Sequence, residues 1–327
     1  MAIALGDPAG IGPEIVASAY LRGGHEPFFA IGNPRALNAI GFGRWSAITS
    51  PSQAAGVFGE ALPVLPVHGC QGVTPGQPGP CGAREALDAL EMGVGLAREG
   101  AASGLVTAPV SKAELYAIGF HHPGQTEFVA ERCGIAEANT AMLLVSGVLR
   151  VSPVTIHLPL REVPDALTAE LIVARGRVVV KALMRDFGIA APRLAVAGLN
   201  PHAGEGGALG REEIDVIAPA VASLREEGID AFGPLPADTM FDPRARATYD
   251  AALCMYHDQA LVPLKTLAFD EGVNMTAGLP IVRTAPDHGT AFGIAGKGAA
   301  NPGAMIAAIR VAAQCARARS VGANGTG

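Results

Sequence analysis

The sequence has little of what marks several classes of protein. Its five cysteines are scattered and include no Cys-x-x-Cys pair, so we expect neither a disulfide framework nor a thiolate metal site, and a reduced cytoplasm suits the chain. It has no basic run and a net charge of −6, which argues against binding to nucleic acid. It lacks both a basic leader and the roughly 18 uninterrupted apolar residues of a membrane span. We therefore expect a cytoplasmic protein that contacts neither nucleic acid nor membrane.

Apolar residues, in contrast, are plentiful: they occupy 49% of the 327 positions, enough for the cores of two domains or of one large α/β unit. Short apolar runs that resemble strands alternate along the chain with longer segments that resemble helices. This alternation is typical of proteins in which a mostly parallel sheet is covered by helices on both faces. The predicted fold class is therefore α/β.

The most informative stretch begins with an apolar run over residues 251–255, which has the length of a buried strand. Tyr256, His257 and Asp258 follow at the point where the apolar pattern stops. Open α/β sheets bind ligands at the carboxyl ends of their strands, so we expect a binding site here. Three residues able to hold an anion or a hydroxyl group come next: Lys265, Asn274 and Arg283.

Three histidines share one placement in the sequence. His157, His202 and His257 each follow an apolar strand and precede turn residues, so all three could meet at one edge of a sheet. Three neutral imidazoles with an open position describe a catalytic divalent metal site, usually zinc. The competing interpretation is that each is a hydrogen-bonded structural residue, because spacing this wide is less specific than His-Glu-x-x-His. Asp238 and Asp258 are either partners that orient the imidazoles or ordinary turn residues.

Two further segments are candidates for binding an anion or a cofactor. A glycine-rich turn over residues 6–15 leads from a strand into a helix and leaves backbone N–H groups free, although it is not the Gly-x-Gly-x-x-Gly fingerprint. A tight strand-to-helix connection explains it equally well. Gln125 and Thr126 begin another helix, where they suit contact with a phosphate or, in the simpler interpretation, an N-cap by Thr126.

Several long motifs in a fixed order make the chain resemble a known family. They are the Gly-Asp-Pro-Ala-Gly turn at residue 6, Asn-Pro-His-Ala-Gly-Glu-Gly-Gly at 200, Gly-Pro-Leu-Pro-Ala-Asp-Thr at 233, Met-Tyr-His-Asp-Gln at 255 and Asp-His-Gly-Thr-Ala at 287. With them the sequence resembles the PdxA family of vitamin B6 synthesis over nearly its whole length. The resemblance implies an NAD(P)-dependent and divalent-metal-dependent oxidation of 4-phosphooxy-L-threonine. The β-keto acid product would decarboxylate to 3-amino-2-oxopropyl phosphate.

The resemblance also implies an architecture. It predicts two α/β/α domains with mostly parallel sheets, similar to isocitrate and isopropylmalate dehydrogenases, with the active site in the interdomain cleft of a homodimer. The cofactor-side domain would comprise residues 1–118 and 280–320. The metal, substrate and dimerisation domain would comprise residues 119–279, and residues 321–327 would form a loose tail.

The family's functional residues can be carried over position by position. Its metal ligands fall on His157, His202 and His257, with the third supplied by the partner subunit, and the metal would be zinc, with magnesium or cobalt as alternatives. The substrate contacts fall on Gln125, Thr126, Lys265, Asn274 and Arg283, and the cofactor contacts on His288, Gly289 and Asn301. Gln125 stands where the family usually has histidine, so a charge-assisted contact becomes a neutral one.

Other functions remain open from the sequence. A related dehydrogenase acting on erythronate or threonate 4-phosphate would use the same residues. Three histidines and a phosphate-binding group would also serve a metal-dependent phosphate-ester hydrolase. A binder of a phosphorylated ligand without catalysis is the third alternative. Sequence assigns no acidic residue to the ribose 2′-hydroxyl, so both NAD and NADP are retained as cofactors.

Overall fold

The computed structural model describes residues 1–24 and 26–324, and internal contacts divide the chain into two compact units. The first unit comprises Met1–Gly134 and Leu279–Ala316, and the second comprises Ile135–Gly278 with the chain from Arg317 onward. The sequence assigned residues 119–134 to the second domain, whereas here they belong to the first unit. Within that unit Arg132 pairs with Glu91 at 2.8 Å, and Gln125 donates to the carbonyl of Ala108 at 3.3 Å.

Twelve strands are present among the described residues. They are β1 Ala2–Ala4, β2 Phe29–Gly32, β3 Trp45–Ala47, β4 Leu62–Pro66, β5 Leu105–Thr107, β6 Ala141–Val145, β7 Arg150–Pro153, β8 Arg193–Ala197, β9 Asp230–Leu235, β10 Ala251–Cys254, β11 Val273–Ala277 and β12 Arg283–Pro286. Most are short and almost wholly buried, as expected for strands covered on both faces.

Twelve α-helices alternate with these strands. They are α1 Gly12–Arg22, α2 Pro34–Ala39, α3 Ala54–Phe58, α4 Pro80–Arg98, α5 Lys112–Ala117, α6 Gln125–Arg132, α7 Val163–Ala166, α8 Ala169–Phe187, α9 Ala218–Glu226, α10 Pro243–Arg246, α11 His257–Ala268 and α12 Gly303–Asn324. The count refers to residues 1–24 and 26–324. None of the helices in those residues is long and apolar enough to cross a membrane.

The first unit contains a parallel sheet in the order β3-β4-β2-β1-β5-β12. The second contains the order β11-β6-β7-β10-β8-β9. In the second sheet β7, β10, β8 and β9 run parallel, while β6 is antiparallel to both β7 and β11. Both sheets are therefore wholly or mostly parallel, as the alternation of elements predicted.

Helix α8 shows how individual residues determine where a helix begins, where it ends and which face is buried. The Thr168 hydroxyl accepts a hydrogen bond from the backbone N–H of Leu171 at 3.1 Å and so caps its start. Gly188 ends it with a left-handed backbone at φ 68°, a conformation that glycine adopts without steric cost. Between them a buried stripe packs toward the sheet, formed by Ile172, Val173, Gly176, Val179, Val180 and Leu183.

Two sequence predictions need correction. Residues 321–327 were expected to form a loose tail, but α12 continues to Asn324, and residues 325–327 lie outside the described part of the chain. No disulfide was expected, but Cys70 and Cys81 are joined by one. The two cysteines are 11 residues apart in no recognised motif, so nothing in their spacing indicated that the fold would bring them together.

Candidate functional site

The three predicted metal-binding histidines follow three neighbouring parallel strands. β10 lies between β7 and β8, with Cys254 opposite Pro153 and Leu253 opposite Val196. His157, His257 and His202 each come shortly after the carboxyl end of one of these strands. The shared strand direction therefore puts the three segments that carry them at one edge of the second unit's sheet.

His157 and His257 lie close together at this edge. Their ring centroids are 5.8 Å apart, at an interplanar angle of 40°. His257 Nδ1 is 2.7 Å from the Asp258 carboxylate, and in the tautomer that donates this hydrogen bond Nε2 keeps its lone pair for a ligand. Of the two aspartates considered as orienting partners, Asp258 thus has a contact with an imidazole. The structure thus brings together two of the three imidazoles predicted as metal ligands.

His202 is held in an unusual loop. It begins a run of six consecutive residues with positive φ, from 54° at His202 to 99° at Gly207. Non-glycine residues rarely adopt this left-handed conformation, so the surroundings must impose it. Its side chain is exposed, and its ring does not join His157 and His257 in a single-chain cluster: in the described residues only Cys70, Cys81 and Glu85 bring three ligand atoms within 4.8 Å.

Glu213 is the residue that fastens this loop. Its buried carboxylate accepts hydrogen bonds from the backbone N–H groups of Leu199 and Asn200, each at 2.7 Å, and from the Asn200 side chain at 3.0 Å. Burial by itself would raise the pKa of Glu213, but the side-chain and backbone hydrogen bonds from Asn200 and the N–H of Leu199 outweigh it and lower the pKa. The loop is therefore fixed by a charged carboxylate.

We expect Glu213→Gln to destabilise the protein at neutral pH by about 1–3 kcal/mol, because the hydrogen bonds to a charged acceptor are lost. The depressed pKa means that the contribution of Glu213 is complete above the ordinary value of 4.5 and disappears as the pH falls below it. Urea unfolding at pH 7 and at pH 3 measures this. The difference from wild type should shrink at pH 3, whereas Glu226→Gln, at an exposed position, should have little effect at either pH.

Buried hydrogen bonds join the strand ends that carry the histidines. The Gln259 side chain accepts from the N–H of Met255 and donates to the carbonyl of Gly198, each at 2.7 Å, which links the ends of β10 and β8. The Thr155 hydroxyl donates to the carbonyl of Met255 at 2.8 Å, which links β7 to β10. These hydrogen bonds fix the positions of the strand ends that carry the histidines.

A cavity of about 250 Å³ opens beside the histidine pair. Its lining combines polar groups with apolar side chains: Thr155, His157, Leu158, Leu160, Val163, Tyr256, His257 and Asp258. The volume suits a small polar molecule. Two predicted substrate residues belong to the same unit and follow His257 in sequence. Lys265 lies on α11, with its ammonium 5.3 Å from the ring centre of Phe269. Asn274 is half-buried on β11, where it pairs with Leu144 of β6.

The other predicted substrate residues form a group in the first unit. Arg283 on β12 is buried and donates to the hydroxyl of Thr107 at 2.7 Å and to that of Thr126 at 3.3 Å. Burial lowers the pKa of Arg283 to about 10, although the nearby Glu127 carboxylate opposes the shift, so the side chain is charged at neutral pH. A guanidinium held in this way at the start of α6 has the chemistry to bind a carboxylate or a phosphate.

The start of helix α6 decides the N-cap interpretation of Thr126. Its N-cap is Gly124, without a side-chain hydrogen bond, so the interpretation of Thr126 as the cap is wrong. The Thr126 hydroxyl instead accepts from Arg283. Gln125 donates to the carbonyl of Ala108 at 3.3 Å, a neutral contact with the end of β5.

The predicted cofactor segment is anchored to the glycine-rich first turn. The N–H of Ile11 donates to the carbonyl of Thr290 at 3.0 Å. The buried Glu14 carboxylate accepts from the N–H groups of Gly296 at 3.0 Å and Ala300 at 3.1 Å. His288 and Gly289 are exposed on this segment, and exposed Asn301 accepts from the N–H of Gly303 at the start of α12. The first turn thus supports the residues expected to contact a dinucleotide.

Comparison with known proteins decides the family. The chain matches the model of the family described as "Pyridoxal phosphate biosynthetic protein PdxA" over residues 26–312. It is 56% identical to the 4-hydroxythreonine-4-phosphate dehydrogenase of Zymomonas mobilis over 322 residues, which cover 98% of this chain and 96% of that protein.

The chain belongs to the PdxA family. The protein of the same name from Caulobacter vibrioides is also 56% identical, over 328 residues that cover 98% of each sequence. The crystal structure of 4-hydroxythreonine-4-phosphate dehydrogenase from Klebsiella pneumoniae superposes with a TM-score of 0.88 at 38% identity, covering 96% of this chain and 98% of that one. The family resemblance and the α/β fold class predicted from sequence are confirmed.

Sequence reasoning missed the residues that support the candidate site of this PdxA family member. Glu14, Gln259 and Glu213 are buried polar residues that hold backbone groups of other segments. Glu14 and Glu213 carried a weak signal, since each is an acidic residue shortly after a glycine-rich turn. The backbone groups that Glu14 holds lie 282 and 286 positions away, which no local pattern reveals.

Proposed function

We propose that the protein is a metal-dependent 4-hydroxythreonine-4-phosphate dehydrogenase that oxidises 4-phosphooxy-L-threonine with NAD or NADP. The product is a β-keto acid that decarboxylates to 3-amino-2-oxopropyl phosphate in pyridoxine 5′-phosphate synthesis. The observation that carries the proposal is the 56% identity to dehydrogenases of that name over nearly the full chain. The adjacent imidazoles of His157 and His257 support it, because they suit this metal-dependent chemistry.

The proposed metal ligands are His157, His202 and His257. Their fit to a divalent ion rests on neutral imidazole donors at one sheet edge and on the Asp258 contact that leaves His257 Nε2 free. Zinc suits three imidazoles best, with magnesium or cobalt as alternatives. When bound, the ion would supply Lewis-acid stabilisation of negative charge on the substrate oxygen during oxidation and decarboxylation.

The remaining substrate contacts divide by charge. Arg283 and Lys265 would neutralise the anionic oxygens of the substrate, while Thr126 and Asn274 would fix its orientation. Gln125 provides a neutral donor at a position where the family usually has histidine, so its contact would be roughly half as strong as a charge-assisted one. The buried position of Arg283 favours this scheme, since a guanidinium there binds an anion in a site with little water.

For the cofactor, we propose that His288, Gly289 and Asn301 contact the adenine side of the dinucleotide. Glu14 acts as a positioning residue, because it holds the N–H groups of Gly296 and Ala300. Replacing Glu14 with Gln should raise the KM for the dinucleotide by about tenfold, since one backbone donor would face an NH2 group and lose its acceptor. The KM for the phosphorylated substrate should change little. Steady-state kinetics with each substrate varied separately measures both KM values. An equal rise in the two KM values would contradict the positioning role.

We also propose a homodimer in which the partner subunit completes the metal site. A groove of about 490 Å³ that includes Phe241, Tyr256, Val262 and Leu267 is mostly apolar, and Val262 is 60% exposed in the single chain. A second copy covering this surface would remove the apolar patch from water. It would also account for a third ligand that does not join the His157 and His257 pair within one chain.

Sharing of the site predicts complementation between inactive variants. His202→Ala and His257→Ala proteins should each be inactive, but subunit exchange between them should restore up to about a quarter of wild-type activity, because half of the randomly formed dimers would hold one intact site. The measurement is dehydrogenase activity after mixing, with unmixed variants as controls. Pairwise mixing with His157→Ala identifies which imidazole is shared. If no pair regains activity, the shared site is refuted.

A coupled assay tests the proposed reaction against its alternatives. The protein is supplied with 4-phosphooxy-L-threonine, erythronate 4-phosphate or threonate 4-phosphate, with NAD or NADP and a panel of divalent metals. Formation of reduced nicotinamide with the amino-acid substrate supports the proposal. A strong preference for the acids without an amino group would reassign the substrate, and release of phosphate without nicotinamide reduction would indicate a hydrolase.

A further inference from the structure

A second group of ligand-type side chains lies in the first unit, apart from the histidines of the second. Cys70 and Cys81 are joined by a disulfide, and Glu85 lies one helical turn after Cys81 on α4. A sulfur from each cysteine and a carboxylate oxygen of Glu85 all lie within 4.8 Å of one another. Cys81 is exposed and Cys70 is half-buried, so reagents in solvent can reach the pair.

Glu85 is the unusual member of this group. It is only 3% exposed, and its Oε1 accepts from the Asn33 side chain at 2.7 Å and from the N–H of Cys70. Its buried Oε2 has no hydrogen-bond partner among the described residues. Gly69 packs directly against this carboxylate and leaves no room there for a Cβ. A buried carboxylate oxygen without a partner is costly unless a cation or donor satisfies it.

We propose that Cys70, Cys81 and Glu85 form a binding site for a thiophilic divalent cation such as Zn²⁺, available when the disulfide is reduced. Two thiolates and one carboxylate supply three of the four ligands of a tetrahedral site, and water supplies the fourth. Glu85 Oε2 then gains the partner that it lacks in the disulfide form. The backbone of Cys70 is already held by Asn33 and Glu85, so the first cysteine is positioned before the ion arrives.

The disulfide and the bound cation exclude each other, which makes the site dependent on redox state. A dithiol reductant transfers two electrons and two protons to the Cys70–Cys81 bond, giving two thiols and the oxidised reductant. Binding of the cation then displaces one proton from each thiol, and those protons pass to solvent. Oxidation by a disulfide reagent reverses the sequence and releases the ion.

Cobalt titration tests the proposal, because thiolate ligands give Co²⁺ a near-ultraviolet charge-transfer absorption that imidazole ligands do not. The full-length protein is reduced with dithiothreitol, freed of it by gel filtration and titrated with Co²⁺, in parallel with untreated disulfide-bonded protein. We expect the absorption to saturate at one ion per chain in the reduced protein and to be absent in the oxidised protein. Cys81→Ser should abolish it, while Cys133→Ser, at a half-exposed free cysteine, should retain it.

Further measurements separate the site from a structural disulfide. Glu85→Gln should keep the absorption but weaken Co²⁺ binding by about tenfold or more, since even residues outside the ligand shell typically affect affinity by 10- to 100-fold. In reduced wild type, Zn²⁺ should slow iodoacetamide labelling of Cys70 and Cys81 but not of Cys133, a readout that needs no variant to fold. The proposal is overturned if reduced wild type shows no charge-transfer absorption, or if Cys81→Ser shows it undiminished.

Discussion

Replacing His202 with alanine is expected to lower kcat/KM for the phosphorylated substrate by roughly 1,000-fold at every metal concentration tested. The reason is that the ion would lose one of three protein ligands, and losses of this order follow removal of groups that stabilise developing charge directly. The fold should survive, because the His202 side chain is exposed on a loop fastened by Glu213 rather than packed in the core. Thermal unfolding monitored by circular dichroism checks this.

The matched control is His121→Ala, which removes an exposed histidine from a loop outside the proposed metal site. Its activity and bound metal, measured after dialysis by elemental analysis, should equal those of wild type. His202→Ala protein should have lost the ion from this site. Turnover that persists in a folded His202→Ala enzyme would refute the metal role, and a variant that keeps its ion but loses activity would assign His202 to the substrate instead.

The positions of the histidines could be predicted because each depends on one local pattern. An apolar run that stops at a polar residue marks the end of a strand, and the predicted run over 251–255 agrees with β10 at Ala251–Cys254. Parallel neighbours then bring the ends of different strands to one edge. No long-range contact had to be known to place His157 and His257 near each other.

Features that depend on distant contacts could not be predicted in this way. The backbone that leads into the left-handed loop at His202 is held by Glu213, and the turn before α12 is held by Glu14 from the other end of the sequence. A π-helical turn at Glu213–Ile217 directly precedes α9. Such a turn often accompanies a functional site, and here it carries the carboxylate that fastens the loop.

One deviation from the parallel pattern did have a local signal. β6 and β7 are separated by only four residues. Across that connection the N–H and hydroxyl of Ser146 donate to the carbonyl of Leu149, and the hydroxyl accepts from the N–H of Leu149. A connection this short cannot hold the crossover that parallel strands require, so the two runs had to pair as an antiparallel hairpin. The length of the gap between the two apolar runs therefore indicated an antiparallel pair, which the alternation of strands and helices did not indicate.

Replacing Arg283 with methionine should reduce kcat/KM for the phosphorylated substrate by about 100-fold or more, mainly through KM. The guanidinium is buried and directed by Thr107 and Thr126, so an anion bound there would lose a charge-assisted contact inside the protein, a loss of about 2–5 kcal/mol. Methionine keeps most of the side-chain length, which limits the disturbance of β12.

Two further variants decide whether charge or geometry matters at Arg283. Arg283→Lys restores the charge but not the planar fork, so it should recover only part of the affinity. Arg244→Met removes an arginine whose side chain is 95% exposed and should leave both kinetic constants unchanged. If Arg283→Met instead lowers kcat with KM unaltered while the protein remains folded, the guanidinium acts on the transition state rather than in binding the anion. If neither constant changes, Arg283 has a structural role and the anion is held by other residues.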